Sequence, residues 1–225
     1  MNDESKEAAR ERVAELVSEH YHRGDIVGWF DALYKEAGGD NEKIPWADLE
    51  PNKYLKTWAD AAGLKGEGRT ALVVGCGLGD DAAFLDDLGF KVSAFDISPT
   101  AIEWAKKLYG EKDIRFEVMD LFAPVREWIG AFDLVLEVYT IQPLPLEMRS
   151  KVIDAIASFA NDKGEIVVVN RLREDDDEPE DLPWPVSRKE LRRFEENGFE
   201  QTHFETMPGD EEVPIDRFVA VYKKR

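Results

Sequence analysis

Val73-Val74-Gly75-Cys76-Gly77-Leu78-Gly79-Asp80 ends an apolar strand pattern and opens a helical one. Glycines at alternate positions let backbone N–H groups come close to a ligand, and a helix start favours an anionic group. A glycine turn of this kind is common. It gains meaning from Phe95-Asp96, which closes the next strand pattern about twenty residues further on. A carboxylate there can accept hydrogen bonds from both ribose hydroxyls of an adenosine-type ligand. The competing reading is a tight strand–helix turn beside a solvated aspartate.

Working outward, strand patterns fall at 70–74, 91–96, 114–118, 132–138 and 165–171, with helical periodicity at 80–88, 99–108 and 147–160 between them. Ser98-Pro99 is a good helix start, a capping hydroxyl followed by proline in the first turn. Near-continuous apolar strands separated by helices indicate a parallel sheet covered on both faces. A helix at 187–197 and two strands at 199–206 and 217–222 follow. Their short link through Pro208, Gly209 and Pro214 predicts an antiparallel pair. Ahead of the glycine turn, helices are expected over 3–20 (stripe Ala9, Val13, Leu16, Val17), 25–37 and 51–62, the last with Pro51 in its first turn. The expected architecture is α/β: a doubly wound, mostly parallel seven-stranded sheet, Rossmann-like, with an antiparallel last strand and a helical N-terminal extension. One domain is expected over 1–225, residues 1–65 forming the extension and 66–225 the core.

The turn departs from the dinucleotide pattern, which wants glycine at the sixth position; here Gly79 is fifth and Asp80 sixth. A carboxylate beside the helix start repels pyrophosphate and suits a ligand with an ammonium group and no phosphate. S-Adenosylmethionine has that shape. Together with Ala94-Phe95-Asp96-Ile97-Ser98-Pro99-Thr100-Ala101-Ile102, the turn resembles class I S-adenosylmethionine-dependent methyltransferases over about residues 70–222. The resemblance implies a cofactor site of Gly75, Cys76, Gly77, Gly79, Asp80, Asp96, Ile97 and Ser98. It adds Asp120 and Leu121, from the loop that meets adenine, and Glu137, at the end of the fourth strand beside the methyl-transfer centre.

The N-terminal part, with Gly28-Trp29-Phe30, Ile44-Pro45-Trp46, Glu50-Pro51-Asn52 and Trp58, is similar in layout to the thiopurine, thiol, halide and tellurite methyltransferase group. That group implies a tryptophan-rich segment folded over the cofactor. Aromatic faces attract a sulfonium and exclude water. Trp46, which follows a proline in a loop, and then Trp29 are the candidates for the cofactor and acceptor pocket. Trp58 and Trp104 sit at helical spacing and read as packing.

Ligands in such sheets sit beyond the carboxyl ends of the strands. On the acceptor side this points to Trp46, Tyr139, Gln142 and Arg171, with Glu137 or Tyr139 as the first candidate base for an amine or hydroxyl acceptor. A thiol acceptor ionises near neutral pH without a dedicated base, so no catalytic residue is assigned. The run 174–181 is strongly acidic and reads as a solvated loop or as a lid with Trp184 at its tip; a lid of that charge would favour neutral or cationic acceptors.

Composition closes off other classes. The 225 residues carry a net charge of −19 spread along the chain, unsuited to binding phosphate backbones. The 43% hydrophobic content supports a real core, and the single cysteine points to a reducing compartment. No apolar run approaches the ~20 residues of a membrane helix, and the start lacks a signal-peptide layout. No metal-ligand spacing involves His20, His22 or His203. The expectation is a cytoplasmic methyltransferase acting on a small-molecule acceptor, a thiol or similar soft nucleophile, without nucleic-acid or membrane partners. A nicotinamide-dependent oxidoreductase and a non-catalytic cofactor-binding module are the alternatives.

Overall fold

The computed structural model describes residues 3–179, 182–210 and 215–225. Five strands run parallel: β1 (Thr70–Val74), β2 (Lys91–Asp96), β3 (Ile114–Val118), β4 (Phe132–Val138) and β5 (Ala160–Arg173). A two-residue strand β6 (Val186–Ser187) pairs with the end of β5. β7 (Phe199–Met207) and β8 (Arg217–Lys224) complete the sheet in the order β3-β2-β1-β4-β5-β8-β7, with β8 antiparallel to both neighbours. The seven-stranded, doubly wound expectation holds, and β6 is an addition. The strand order reverses between β1 and β4, the place where sheets of this kind hold ligands over the carboxyl ends of their strands.

Alternation along the strands fills two cores. Ala71, Val73, Val167, Val169, Val219 and Val221 face a layer built on α3 (Lys53–Ala62), α4 (Asp80–Asp87) and α5 (Pro99–Leu108). Leu72, Val74, Ile166, Val168, Phe218 and Ala220 face α6 (Arg149–Phe159) and α7 (Arg188–Glu196). A third cluster joins α1 (Asp3–Tyr21) and α2 (Gly28–Ala37) to the sheet: Val13, Leu16, Trp29, Leu33 and Tyr34 pack with Leu78 of the glycine turn and Ala101 of α5.

Boundaries differ from expectation where side chains cap. Helix α2 starts at Gly28 rather than residue 25, because the Asp25 carboxylate accepts from the backbone N–H groups of Val27 and Gly28. Pro51 precedes α3 instead of opening it. Asn52 is the cap, its side chain accepting from Tyr54 and Leu55 N–H. Strand β5 begins at Ala160, five residues early, with a register shift opposite Phe132–Leu134. Pro214 of the β7–β8 link lies outside the described residues.

No motif or spacing singles out Arg149, which is buried at the start of α6. Its guanidinium donates to the carbonyls of Ile141 and Trp184 and lies 3.3 Å from Glu190, which also pairs with Arg173 and completes the capping box of α7. One cation thus ties the loop after β4 to the segment before β6. Removing one member of a buried ion pair strands the rest. Arg149→Met is therefore expected to lower stability by ~3 kcal/mol in urea titrations; a loss under ~1 kcal/mol would show that the loops hold without it.

Candidate functional site

The glycine turn adopts backbone that only glycine accepts readily. Gly75, Gly77 and Gly79 have φ of 61°, 52° and 91°. A Cβ on Gly75 would lie 2.5 Å from Thr140 Oγ1, so the turn on β1 and the loop after β4 are in direct contact. A Cβ on Gly77 would lie 3.0 Å from the Tyr34 hydroxyl, which brings the extension onto the same turn.

Asp96 organises this corner. Its carboxylate is buried, with Oδ2 accepting from Gly77 N–H and Oδ1 from Ser98 N–H, each at 2.9 Å. Burial raises its pKa, while N–H bonds from Ser98, Gly77 and Ile97 oppose the rise. Ser98 is fully buried and caps α5 as expected, accepting from Ala101 N–H. Cys76 donates its N–H to Phe95 O, and burial pushes its thiol pKa up, in keeping with a small packing residue rather than a thiolate.

At the start of α4, Asp80 accepts from the Tyr109 hydroxyl at 2.5 Å, and burial raises its pKa. Asp81, not singled out in the sequence, accepts from Asn52 N–H at 2.7 Å, and burial lifts its pKa to about 7. Among the described residues no cationic side chain pairs with either carboxylate. Two adjacent, partly desolvated carboxylates fit an ammonium group and oppose a pyrophosphate. After β3, Asp120 is exposed and accepts from Phe122 N–H, and Leu121 is buried in the core.

Of the extension's tryptophans, Trp46 is 40% exposed, donates its indole N–H to the Tyr34 hydroxyl at 2.9 Å and meets Phe30 and Trp29 edge-on. Trp29 corrects an expectation. It has no exposed surface, stacks on Phe30 and gives its N–H to Ile26 O, so it backs Trp46 rather than lining a pocket. Trp58 is core, and Trp104 packs against Tyr34.

On the acceptor side, Glu137 and Gln142 are also corrections. Glu137 is fully buried, and its oxygens accept from Thr140 N–H, Ile141 N–H and the Asn170 amide. Burial pushes its pKa up to about 7, but no surface is left for a ligand. Gln142 is buried, its side-chain oxygen accepting from Arg171 N–H and its carbonyl from Trp184 N–H. Tyr139 has a left-handed backbone (φ 58°), and its hydroxyl accepts from Arg217 Nε at 3.2 Å. Arg171 lies half-buried opposite Arg217 in the β5–β8 register. In the acidic run, Arg173 holds Asp177 O and Asp175 accepts from Lys189 N–H; Glu180 and Asp181 lie outside the described residues. A cleft of about 460 Å³ opens beside the loop after β4, lined by Tyr21, Gly24, Ile26, Pro145, Leu146, Glu147 and Trp184.

Residues 39–221 match the thiopurine S-methyltransferase family model. The chain belongs to that family. It is a class I S-adenosylmethionine-dependent methyltransferase, with S-adenosylmethionine as its cofactor. A relative from Mycobacteroides abscessus, 2-heptyl-1-hydroxyquinolin-4(1H)-one methyltransferase, is 25% identical over 175 residues, covering 76% of this chain and 75% of its own. Two solved structures share the fold. The protein studied for conversion of a disulfide bond into a thioacetal group during echinomycin biosynthesis has TM-score 0.69 at 21% identity, covering 87% of this chain and 91% of its own. Magnesium protoporphyrin IX methyltransferase from Synechocystis PCC 6803 has TM-score 0.66 at 18% identity, covering 87% and 98%. No helix among the described residues is long and apolar enough to cross a membrane.

Asp31 of α2 is the other group the sequence hid. It accepts from the Ser98 hydroxyl at 2.7 Å and from Thr100 N–H, and pairs with Lys35. Burial works against ionisation, yet the bonds from Lys35, Ser98 and Thr100 hold its pKa down at about 2. A depressed carboxyl pKa contributes stability above the unfolded value of about 4 and loses it as pH falls toward the folded value. Asp31→Asn is expected to cost about 2 kcal/mol at neutral pH, with the gap to wild type constant down to pH ~4 and shrinking below it. Equal urea midpoints for the two proteins at neutral pH would refute the clamp.

Proposed function

We propose that this methyltransferase acts on a small acceptor with a soft nucleophile of low pKa, a thiol first and an N-hydroxy heterocycle by the same logic, and that it uses no protein base. The observation that carries this reading is Glu137. The carboxylate nearest the carboxyl end of β4 spends its oxygens on Thr140, Ile141 and Asn170 and is sealed from solvent. An acceptor that sheds its own proton needs none. The family description and the hydroxyquinolone relative both name acceptors of this acidic, heteroaromatic kind.

When bound, S-adenosylmethionine supplies a methyl group on a sulfonium, so the reaction asks for alignment and dryness rather than acid catalysis. The chain's own groups provide both. Asp96 and the N–H groups of the 75–79 turn hold and orient, with Ile97, Ser98, Asp120 and Leu121 along the adenine side. Asp80 and Asp81 offer negative charge for the amino-acid end, and Trp46, braced by Trp29 and Tyr34, excludes water. Tyr139 and Arg171 flank the mouth over β4 and β5, and Gln142 positions Arg171 through its backbone. Residues 1–65 and 66–225 then act as one unit, since the extension supplies the cover.

The test is the pH dependence of kcat/KM at saturating methyl donor for two thiols of very different acidity, thiophenol and benzyl mercaptan. The inflection is expected to move with the acceptor's own pKa. One shared inflection at about 7 for both would assign the proton to a group of the protein, Glu137 or Asp81, instead.

A further inference from the structure

Tyr139 stands where β4 ends, with backbone that aromatic residues rarely adopt (φ 58°). Strain of this kind persists only where the surroundings hold it. Its N–H donates to Val169 O of β5 at 3.0 Å, and its hydroxyl accepts from Arg217 Nε of β8. The second bond spans the carboxyl end of β5, the strand between them. Part of the residue's surface remains exposed.

Two neighbours connect Tyr139 to the cofactor corner. Thr140, the next residue, donates its hydroxyl to Val74 O at 2.9 Å and touches the place a Gly75 Cβ would occupy. Asn52 reaches it from the other side. Its N–H donates to Asp81, its side-chain oxygen accepts from Tyr54 and Leu55 N–H, and its side chain also hydrogen-bonds the Tyr139 hydroxyl. One residue thus separates the carboxylates at the start of α4 from the phenol over β5.

The charges on the two sides of Asn52 are opposite. Asp80 and Asp81 make one side negative, as suits a cationic methyl donor. On the other, Arg171 and Arg217 stand opposite each other in the β5–β8 register, two cations together in a chain of net charge −19. That side suits an anion. With Arg217 and Asn52 donating to its oxygen, the phenol's own proton points elsewhere, and among the described residues nothing accepts it. Burial raises the Tyr139 pKa while Arg217 and Asn52 pull it back, so at neutral pH the group is a donor.

We propose that Tyr139 is a catalytic residue of the methyl transfer, its hydroxyl, backed by Arg217, donating a hydrogen bond to the ionised nucleophile of the acceptor. The inference rests on the soft-nucleophile reading above and names the group that holds the nucleophile as an anion. The acceptor's proton leaves to solvent on binding. The thiolate lone pair forms the new S–CH3 bond, and the electrons of the broken C–S bond stay on the sulfur of S-adenosylhomocysteine. Tyr139 keeps its proton throughout, and Arg217 is a positioning residue. A donor on a thiolate lowers its pKa and costs only part of its nucleophilicity.

Thiophenol and its methylated product thioanisole, which has no charge to hold, separate this role from packing. Their binding to the full chain loaded with S-adenosylhomocysteine is read by calorimetry in buffers of different ionisation enthalpy, which counts released protons. At a pH below the thiol's own pKa, the wild-type protein is expected to release about one proton per thiophenol bound, and the inflection of kcat to lie about one pH unit below that pKa. Tyr139→Phe is expected to weaken thiophenol about tenfold and to move the kcat inflection up by about one unit. Thioanisole and S-adenosylhomocysteine affinities should stay within about twofold, which also shows that the variant folds. No proton release by the wild-type protein, equal losses for thiophenol and thioanisole, or an unmoved inflection would overturn the role of Tyr139. Proton release that disappears in Tyr139→Phe supports it even where no thioanisole forms, a result that would defeat the thiol-acceptor reading alone. Equal methylation of thiophenol by both proteins would defeat the donor and leave that reading standing.

Discussion

A buried carboxylate shared between two strands' ends is the constraint on which the site depends. Asp96 closes β2 and takes N–H bonds from Gly77 and Ser98, so the glycine turn after β1 and the start of α5 are fixed to one side chain. Such a charge is costly unless hydrogen-bonded, and the balance shows in a pKa that burial raises and the backbone donors pull back. A carboxylate offers about four acceptor positions, so the same group that builds the turn keeps capacity for a ligand's hydroxyls. Structure and binding are here one interaction.

The extension is held to that corner by three tethers of different chemistry. Asp31 accepts from Ser98 and Thr100 at the start of α5; Trp46 donates to Tyr34, whose hydroxyl overlies Gly77; Asn52 donates its N–H to Asp81 in the first turn of α4. The apolar cluster linking Trp29 and Leu33 with Leu78 and Ala101 lies beneath them. The cover is thus registered to the helix starts that surround the cofactor turn, and each tether ends within two residues of a group assigned to that turn or to Asp96.

Much of this order was legible because it is periodic or local. Strands β1 to β4 and helix α5 begin and end where the apolar alternation and the Ser98-Pro99 cap put them, and the turn's glycines stand at positive φ as the motif requires. Asp25 and Asn52 shift helix starts by two or three residues because a cap outweighs the pattern of apolar residues behind it. What the sequence could not display were partnerships between distant residues. Asp31 with Ser98, Asn52 with Asp81 and Arg149 with Trp184 carry no shared spacing. Trp29, Glu137 and Gln142 were placed near the ligand by their position in the chain, but burial and saturated hydrogen bonds turn them into supports.

The sugar grip of Asp96 is tested most directly by titration calorimetry of the wild-type protein with S-adenosylhomocysteine and with its 2′,3′-dideoxy analogue, which differ only in the hydroxyls. Loss of two charge-assisted hydrogen bonds at ~1.5–3 kcal/mol each predicts at least a hundredfold weaker binding of the dideoxy compound. Equal affinity for the two would contradict the account, because the carboxylate would then serve the turn alone.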